Sequence, residues 1–354
     1  MKEHPRLAGV CLSTAQGYNF PSMRKFLFIL VLFLGAAFVY LSFGELESII
    51  ETLRQGHLWF VLLALAIQGS WFLVAGLTYQ SLYRNLGMDG DVKQFTLLSA
   101  AANFVNIVAP SAGMSGMAVF ISNANRTGQS PGKATVISML YILLDYIAFL
   151  FVLALGLIVL FRRNDLHTTE IIASIVMFAI AAALGFLLYL GSRSSEALGN
   201  ALASMAHWVN RIARPFIRRE YLSESRAYEF AREMADDLKS LPERPRSLLR
   251  PLLYAFANKA LMVGVLAASF LSFEVPFTAG TVIGGFAISY LFLIVSPTPS
   301  GIGIVEGIMP LALSSLRVEW SQAVIITLAY RGITFWVPLG VGAAAFRWLN
   351  KDTK

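Results

Sequence analysis

The stretch Ser289-Tyr-Leu-Phe-Leu-Ile-Val-Ser-Pro-Thr-Pro-Ser-Gly-Ile-Gly-Ile-Val-Glu306 decides the fold predicted for this chain. Its first apolar run ends at Ser296, breaks on Pro297 and Pro299, and resumes after Gly301 and Gly303. Proline removes a backbone donor, and glycine allows unusual backbone dihedral angles. Both runs are too short to cross a bilayer, and broken backbone at membrane depth must be buried in protein or face a wet cavity. The stretch is therefore interpreted as a re-entrant helix–break–helix hairpin and as a candidate transport site.

The composition of the whole chain indicates a polytopic helical membrane protein. Of its 354 residues, 56% are hydrophobic and only 14% are charged, which excludes a soluble domain or a disordered chain. A membrane β-barrel would show short alternating segments instead of long apolar runs. The single cysteine, Cys11, excludes an internal disulfide, and the four scattered histidines give no metal-ligand cluster. The predicted fold class is therefore all-α, and no cofactor is expected.

Apolar runs divide the chain into two membrane halves joined by a polar linker. Six segments are predicted to cross the membrane, at residues 26–43, 58–78, 135–160, 171–190, 252–272 and 321–346. The predicted organisation is a basic cytoplasmic N-terminal extension (1–25), a first membrane half (26–190) with a hairpin at 95–122, a cytoplasmic amphipathic linker (191–251), a second half (252–346) with a hairpin at 279–316, and a basic cytoplasmic tail (347–354). The linker has apolar residues at helical spacing, which suits either a helix on the inner leaflet or one packed on the bundle. Residues 1–22 precede a methionine that resembles a translation start, so their place in the native protein stays open.

The distribution of positive charge predicts the orientation. With the N-terminus in the cytoplasm, 22 of the 28 Lys and Arg residues lie on the cytoplasmic side and 4 on the other, while Lys259 and Arg331 lie within spans. Because cytoplasmic loops carry an excess of Lys and Arg, this bias predicts that both termini are cytoplasmic. The net charge of +7 is assigned to these loops and not to nucleic-acid binding.

A second broken stretch resembles the first. Phe104-Val-Asn-Ile-Val-Ala-Pro110 and Leu291-Phe-Leu-Ile-Val-Ser-Pro297 share Ile-Val-x-Pro at an offset of 187 residues, and the first break continues through Gly113 and Gly116. In the predicted orientation the two hairpins enter from opposite sides. Inverted repeats with interrupted helices are typical of transporters whose site lies near the midplane. The sequence thus predicts two inverted-topology repeats, each with a re-entrant hairpin.

Four ionisable residues lie within the predicted membrane region: Asp145, Lys259, Glu306 and Arg331. Each costs roughly 2.5–3.5 kcal/mol at the bilayer centre on insertion scales, so each requires a partner or water. One interpretation is a polar cavity in which Arg331 and Lys259 bind a phosphate and the carboxylates bind coupling ions or act as gates. The alternatives are static pairs of Asp145 or Glu306 with Arg331, a Lys259 that snorkels, and a Glu306 that stabilises a helix start.

Uncharged polar residues complete the candidate substrate site. Tyr330 precedes the arginine of the last span, and Asn103 and Asn106 precede the first break. The two asparagines either line the hairpin or satisfy backbone groups that the break leaves unpaired.

Three motifs carry a resemblance to a known family. Pro297-Thr-Pro-Ser-Gly-Ile-Gly-Ile-Val-Glu306, Asn103-x-x-Asn-x-x-x-Pro110-x-x-x-x-x-Gly116 and Tyr330-Arg331-x-x-x-x-x-x-Pro338 resemble the transmembrane domain of lysylphosphatidylglycerol synthases and their flippase-like relatives. The resemblance covers nearly the whole chain from about residue 26. It implies an inner-membrane protein that moves an anionic phospholipid or a polyprenyl-linked lipid between leaflets. Ser300 stands where the family often has glycine, so the substrate class stays open.

The hypothesis from the sequence is a lipid flippase or transporter that does not use ATP, because no phosphate-binding loop for a nucleotide occurs. An enzyme is not expected, because no nucleophile–base pair or metal cluster supports one. The expected partner is a membrane lipid, without nucleic acid. A homo-oligomer and a separate lipid-modifying enzyme stay open as further partners. The alternatives are an intramembrane enzyme that uses Glu306 or Asp145 as general acid or base, and a non-catalytic membrane subunit.

Overall fold

A computed structural model describes residues 47–108, 114–213, 224–239, 245–296 and 298–351. The chain divides into two compact units, Met1–Glu47 and Ser48–Lys354. Apart from Glu47, the described residues belong to the second unit. The first predicted span, at 26–43, and three predicted break residues, Pro110, Gly113 and Pro297, lie outside the described residues.

The described residues are almost entirely helical. Residues 48–55 are helical, and the helices that follow are α1 (Leu58–Asn85), α2 (Val92–Val108), α3 (Met117–Arg126), α4 (Pro131–Arg162), α5 (Thr168–Arg193), α6 (Ser195–Ala213), α7 (Glu224–Lys239), α8 (Leu249–Ser272), α9 (Ala279–Val295), α10 (Ile304–Ser315), α11 (Trp320–Arg331) and α12 (Val337–Lys351). The all-helical class and the polytopic membrane character predicted from the sequence are confirmed.

Within the described residues, five segments are long and apolar enough to cross a membrane: Leu58–Asn85, Pro131–Arg162, Thr168–Arg193, Arg246–Ser272 and Trp320–Leu349. Each overlaps a span expected from the sequence. Their outward surfaces carry exposed apolar side chains, which suits contact with lipid tails because water would disfavour so large an apolar surface.

The two broken stretches fold as pairs of short helices. The first pair is α2 and α3, of 17 and 10 residues. The second pair is α9 and α10, of 17 and 12 residues. A helix rises about 1.5 Å per residue, so none of these four reaches the roughly 30 Å of hydrocarbon that a span must cross.

The amphipathic linker folds as α6 and α7, which pack on each other and on the bundle. Leu198 of α6 and Met234 and Leu238 of α7 are buried in these contacts. Met205 and Trp208 of α6 are exposed. One face of this helix pair therefore packs on the bundle, as one alternative predicted. The other face of α6 exposes apolar side chains, as the leaflet alternative predicted.

Close helix packing on α2 depends on a small residue of α12. A Cβ atom at Gly342 would lie 2.5 Å from the carbonyl oxygen of Ala100 and 2.8 Å from Cβ of Phe104. Gly340, two residues earlier, has nothing within 4 Å of the same position. Small residues at such interfaces let membrane helices approach closely.

This pair of glycines gives a matched stability test. Gly342→Ala is expected to lower the thermal unfolding temperature in detergent because α2 must move away from α12. Gly340→Ala is expected to leave the temperature unchanged or raise it, because alanine favours a helix over glycine by about 1 kcal/mol. Equal unfolding temperatures for the two variants would contradict the packing described.

Candidate functional site

The turn between α9 and α10 has backbone conformations that favour glycine. Gly301 and Gly303 have φ of 70° and 77°, and Ser300, which has a Cβ, has φ of 47°. Left-handed backbone costs a residue with a Cβ roughly 1–2 kcal/mol. Side chains bond the turn internally, since Thr298 donates through Oγ1 to the carbonyl oxygen of Ile302 at 3.0 Å. The break predicted from the sequence is thus a defined turn with its own hydrogen bonds.

Arg331 joins this turn to the last span. Its Nε forms an ion pair with Oε1 of Glu306, and its Nη2 donates to the carbonyl oxygen of Ser300 at 3.2 Å. Glu306 also accepts, through Oε2, a hydrogen bond from the backbone N–H of Gly303 at 2.8 Å. The guanidinium carbon lies 4.7 Å from the ring centroid of Phe335. The arginine therefore holds the strained turn and the start of α10 against α11.

A π-helical turn over Gly332–Trp336 follows Arg331 directly. Pro338 comes two residues after this turn, and its missing N–H removes the hydrogen bond that would close an α-helical turn on Thr334. π-helical turns occur frequently at functional sites. The turn widens the helix beside the arginine and interrupts the regular spacing of the span.

Asp145 of α4 and Lys259 of α8 form the second buried pair. The Nζ of Lys259 lies 2.7 Å from Oδ1 of Asp145 and 2.8 Å from Oδ2. It also donates to the phenol oxygen of Tyr290 at 2.7 Å. Lys259 is only 1% exposed, so the snorkelling alternative is wrong. A buried ammonium with three such contacts is positioned by α4, α8 and α9 together.

Asn106 organises the first break. Its Oδ1 accepts hydrogen bonds from the backbone N–H of Gly116 at 2.6 Å and from Oγ of Ser115 at 2.9 Å. It therefore satisfies backbone at the break, as one of the two sequence interpretations expected. It also lines a central cavity between the two broken stretches, so the two interpretations are compatible.

A cavity of about 220 Å³ lies between the two broken stretches. Residues from both halves of the chain line it: Gln68, Trp71, Tyr79, Ser99, Ala102, Asn103, Asn106, Ile107, Gly116, Tyr141, Ile142, Asp145, Tyr146, Met262, Tyr290, Leu293, Ile294, Ser296, Thr298, Ser300, Arg331, Thr334 and Phe335. Two of its buried polar atoms, Oε1 of Gln68 and Oγ of Ser99, have no hydrogen-bond partner in the described part of the chain. An unpaired buried polar atom costs free energy unless water or a ligand satisfies it. The lining thus suits a polar guest.

The structure brings together most of the residues that the sequence singled out. Asp145, Arg331, Asn103 and Asn106 line the cavity, with Gly116 from the first break. Lys259 pairs with Asp145, and Glu306 pairs with Arg331. Neither Lys259 nor Glu306 itself lines the cavity. Among the alternatives left open, the Glu306–Arg331 pair is present, and Asp145 pairs with Lys259 and not with Arg331.

One predicted residue has a different place. Tyr330 is buried in the main apolar core, among residues of α4, α8 and α10. It precedes Arg331 in sequence, but successive helical residues point in different directions. Tyr330 therefore does not line the cavity, although it is next to Arg331 in sequence.

Other lining residues were not singled out from the sequence. Gln68 is a polar residue in the middle of an apolar span, and that signal was available. Ser99 and Tyr290 carry no such signal, because serine and tyrosine are common in membrane helices.

Among the described residues, no group of three or more His, Cys, Asp or Glu side chains could hold a metal ion.

Two comparisons with known proteins bear on this chain. Residues 26–342 match the model of the family described as lysylphosphatidylglycerol synthase TM region. A protein described as "UPF0104 membrane protein" from Methanothermobacter thermautotrophicus (strain Delta H) is 22% identical over 329 residues, which cover 91% of this chain and 94% of that relative. The resemblance inferred from the motifs is confirmed, and the chain belongs to the family of lysylphosphatidylglycerol synthase transmembrane regions.

Proposed function

We propose that this protein is a flippase or transporter that moves a lipid bearing a phosphate, either an anionic phospholipid or a polyprenyl-linked lipid, between the leaflets of the inner membrane. The observation that carries the proposal is the cavity between two broken helix pairs, with Arg331 in its lining and Glu306 bound to that arginine. The family name, which refers to a lipid synthase, supports a role in lipid handling.

The size of the cavity favours a headgroup over a whole lipid. A volume of about 220 Å³ exceeds that of several water molecules, each of which occupies about 30 Å³ of liquid. Two long acyl chains do not fit in such a space, so they would remain in the bilayer while the headgroup passes. The apolar outer surfaces of the helices provide a path for those chains.

Arg331 would bind the phosphate by exchanging partners. A guanidinium has five N–H donors, and the described contacts of Arg331 use Nε and Nη2. Guanidinium and phosphate form strong bidentate hydrogen bonds. A phosphate that displaced the Glu306 carboxylate would loosen the link between α10 and α11, and release of the lipid would restore it. Glu306 thus acts as an internal substitute for the substrate's negative charge.

The two broken helix pairs would provide access from opposite leaflets. In this proposal α2–α3 and α9–α10 are re-entrant hairpins of two inverted repeats, and both chain termini are cytoplasmic. Their short lengths and the excess of basic residues in the predicted cytoplasmic loops support this arrangement. Asp145 and Lys259 would then couple movement of the hairpins to a proton or cation, because they join α4 and α8 beside the cavity.

A reconstitution assay tests the proposal. Purified protein is inserted into liposomes that contain a phosphatidylglycerol analogue with a fluorescent headgroup or chain, and an impermeant quencher reports its movement between leaflets. Liposomes with protein are expected to lose fluorescence beyond the outer-leaflet share, and empty liposomes are not. If the lipid stays in its leaflet, the transport proposal is wrong. If its headgroup is chemically altered, the enzyme alternative replaces it.

The cavity lining makes a specific prediction in the same assay. Asn103→Ala is expected to slow translocation several-fold, because loss of one polar contact to a buried guest costs about 1 kcal/mol. Asn125→Ala is the control, since Asn125 is exposed near the end of α3 and does not line the cavity. Equal translocation rates for the two variants would remove Asn103 from the site.

A further inference from the structure

A second hollow, of about 300 Å³, lies at the end of the bundle where α1 ends and α8 begins. Three arginines line it: Arg84 from the last turn of α1, Arg246 from the 3₁₀ turn before α8, and Arg250 from the first turn of α8. The Nδ2 of Asn85 donates to the carbonyl oxygen of Ser247 at 2.9 Å. This bond fastens the 3₁₀ turn to the end of α1, so segments more than 160 residues apart in sequence meet at one place.

The charges around this hollow are unbalanced. None of the described residues that line it carries a carboxylate. Three guanidinium groups that face one space repel one another. Arg250 also lies in a first helical turn that has no acidic residue, where the helix dipole disfavours a cation. A bound anion would offset all of these unfavourable terms.

The position of the hollow favours an anion that belongs to a lipid. Arg84 and Arg246 lie at adjoining ends of two candidate membrane spans, Leu58–Asn85 and Arg246–Ser272. Span ends lie at the level of the lipid headgroups, where basic residues interact with anionic lipids. Tyr254, which is partly buried, also lines the hollow, and tyrosine is enriched at this level.

We propose that this hollow binds the phosphate group of an anionic membrane lipid. Guanidinium groups match phosphate oxygens through paired hydrogen bonds, and three of them suit a phosphate better than a carboxylate. The site shares no lining residue with the central cavity, so the proposal does not depend on the transport function.

Native mass spectrometry of the full chain in neutral detergent tests the site by counting bound phosphatidic acid molecules. The wild-type protein is expected to bind one more phosphatidic acid than the Arg84→Gln/Arg250→Gln variant, with an affinity for that lipid about tenfold or more above the residual binding. The central cavity is unaltered in the variant, so the difference reports the hollow alone. Phosphatidylcholine, whose headgroup has no net charge, is expected to show no such difference.

The control removes the same number of positive charges elsewhere at this end of the bundle. Arg347→Gln/Lys351→Gln changes two exposed residues of α12. The carbonyl of the neighbouring Leu349 accepts a hydrogen bond from Arg126 at 2.9 Å, and Gln129, three residues after Arg126, donates to the carbonyl of Asp89, just after α1, at 3.1 Å. This variant is expected to keep the additional lipid.

A charge-conserving variant tests the site even if the glutamine variant does not fold. Arg84→Lys/Arg250→Lys keeps both positive charges but loses the paired guanidinium geometry, so it is expected to retain weakened binding. Equal phosphatidic acid counts for the wild type and a folded glutamine variant would overturn the proposal. Displacement of the lipid by glycerol 3-phosphate at a similar concentration would also overturn the lipid assignment and identify a soluble phosphate ester as the ligand.

Discussion

Arg331→Met is expected to lower the free energy of unfolding by about 3–5 kcal/mol, because removal of one member of a buried ion pair leaves the other charge uncompensated. The arginine side chain is 3% exposed and that of Glu306 is 16% exposed. The loss is measured as a lower thermal unfolding temperature in detergent. The second substitution, in Arg331→Met/Glu306→Gln, removes the stranded carboxylate and is expected to recover most of the stability.

A transport assay of Arg331→Met/Glu306→Gln tests whether the ion pair has a structural or a functional role. If Arg331 binds the phosphate of the lipid, the double variant remains folded but moves the fluorescent lipid at the rate of empty liposomes. Arg347→Met, an exposed arginine further along the same span, is the control and is expected to retain transport. A double variant that transported lipid at the wild-type rate would show that the pair only fixes the positions of α10 and α11.

The breaks in the helices could be predicted from the sequence because they depend on local backbone chemistry. Proline and glycine act within one or two turns, so the end of α9 and the start of α10 follow from Pro297, Pro299, Gly301 and Gly303.

The full length of α1 could not be predicted from the sequence. Hydropathy falls near residue 78, where the predicted span stops, yet the helix continues to Asn85, since polar residues are tolerated where a span leaves the hydrocarbon.

The partners of the buried charges could not be predicted because they depend on how distant helices meet. Asp145 and Lys259 are 114 residues apart, and the sequence equally allowed Asp145 to pair with Arg331. Asp145 lies 35 residues after Pro110 and Arg331 lies 34 residues after Pro297, so the predicted repeats would place them at related positions. Related positions in two inverted units would still not have to touch. Pairing follows from the packing of α4 on α8 and of α10 on α11, which no local pattern specifies.

Asp145→Asn is expected to destabilise the protein by about 3–5 kcal/mol, because it leaves the ammonium of Lys259 buried without a counter-ion. Both oxygens of Asp145 lie within 2.8 Å of Nζ, whereas Tyr290 contributes one neutral hydrogen bond. Tyr290→Phe is therefore the graded control, with an expected loss of only about 0.5–1.5 kcal/mol. Thermal unfolding of the two variants in the same detergent compares them, and equal losses would contradict a dominant ion pair.

The neutral variant Asp145→Asn/Lys259→Met then tests whether the pair couples transport to an ion. It removes both charges and is expected to regain most of the lost stability, since buried pairs can often be replaced by uncharged groups of similar volume. If Asp145 carries the coupling proton, lipid movement by the wild type changes when a pH gradient is imposed across the liposome, and movement by the neutral variant does not. A neutral variant that responds to the gradient as the wild type does would exclude Asp145 from coupling, because no titratable group would remain at its position. Its role would then be to hold α4 against α8 beside the cavity.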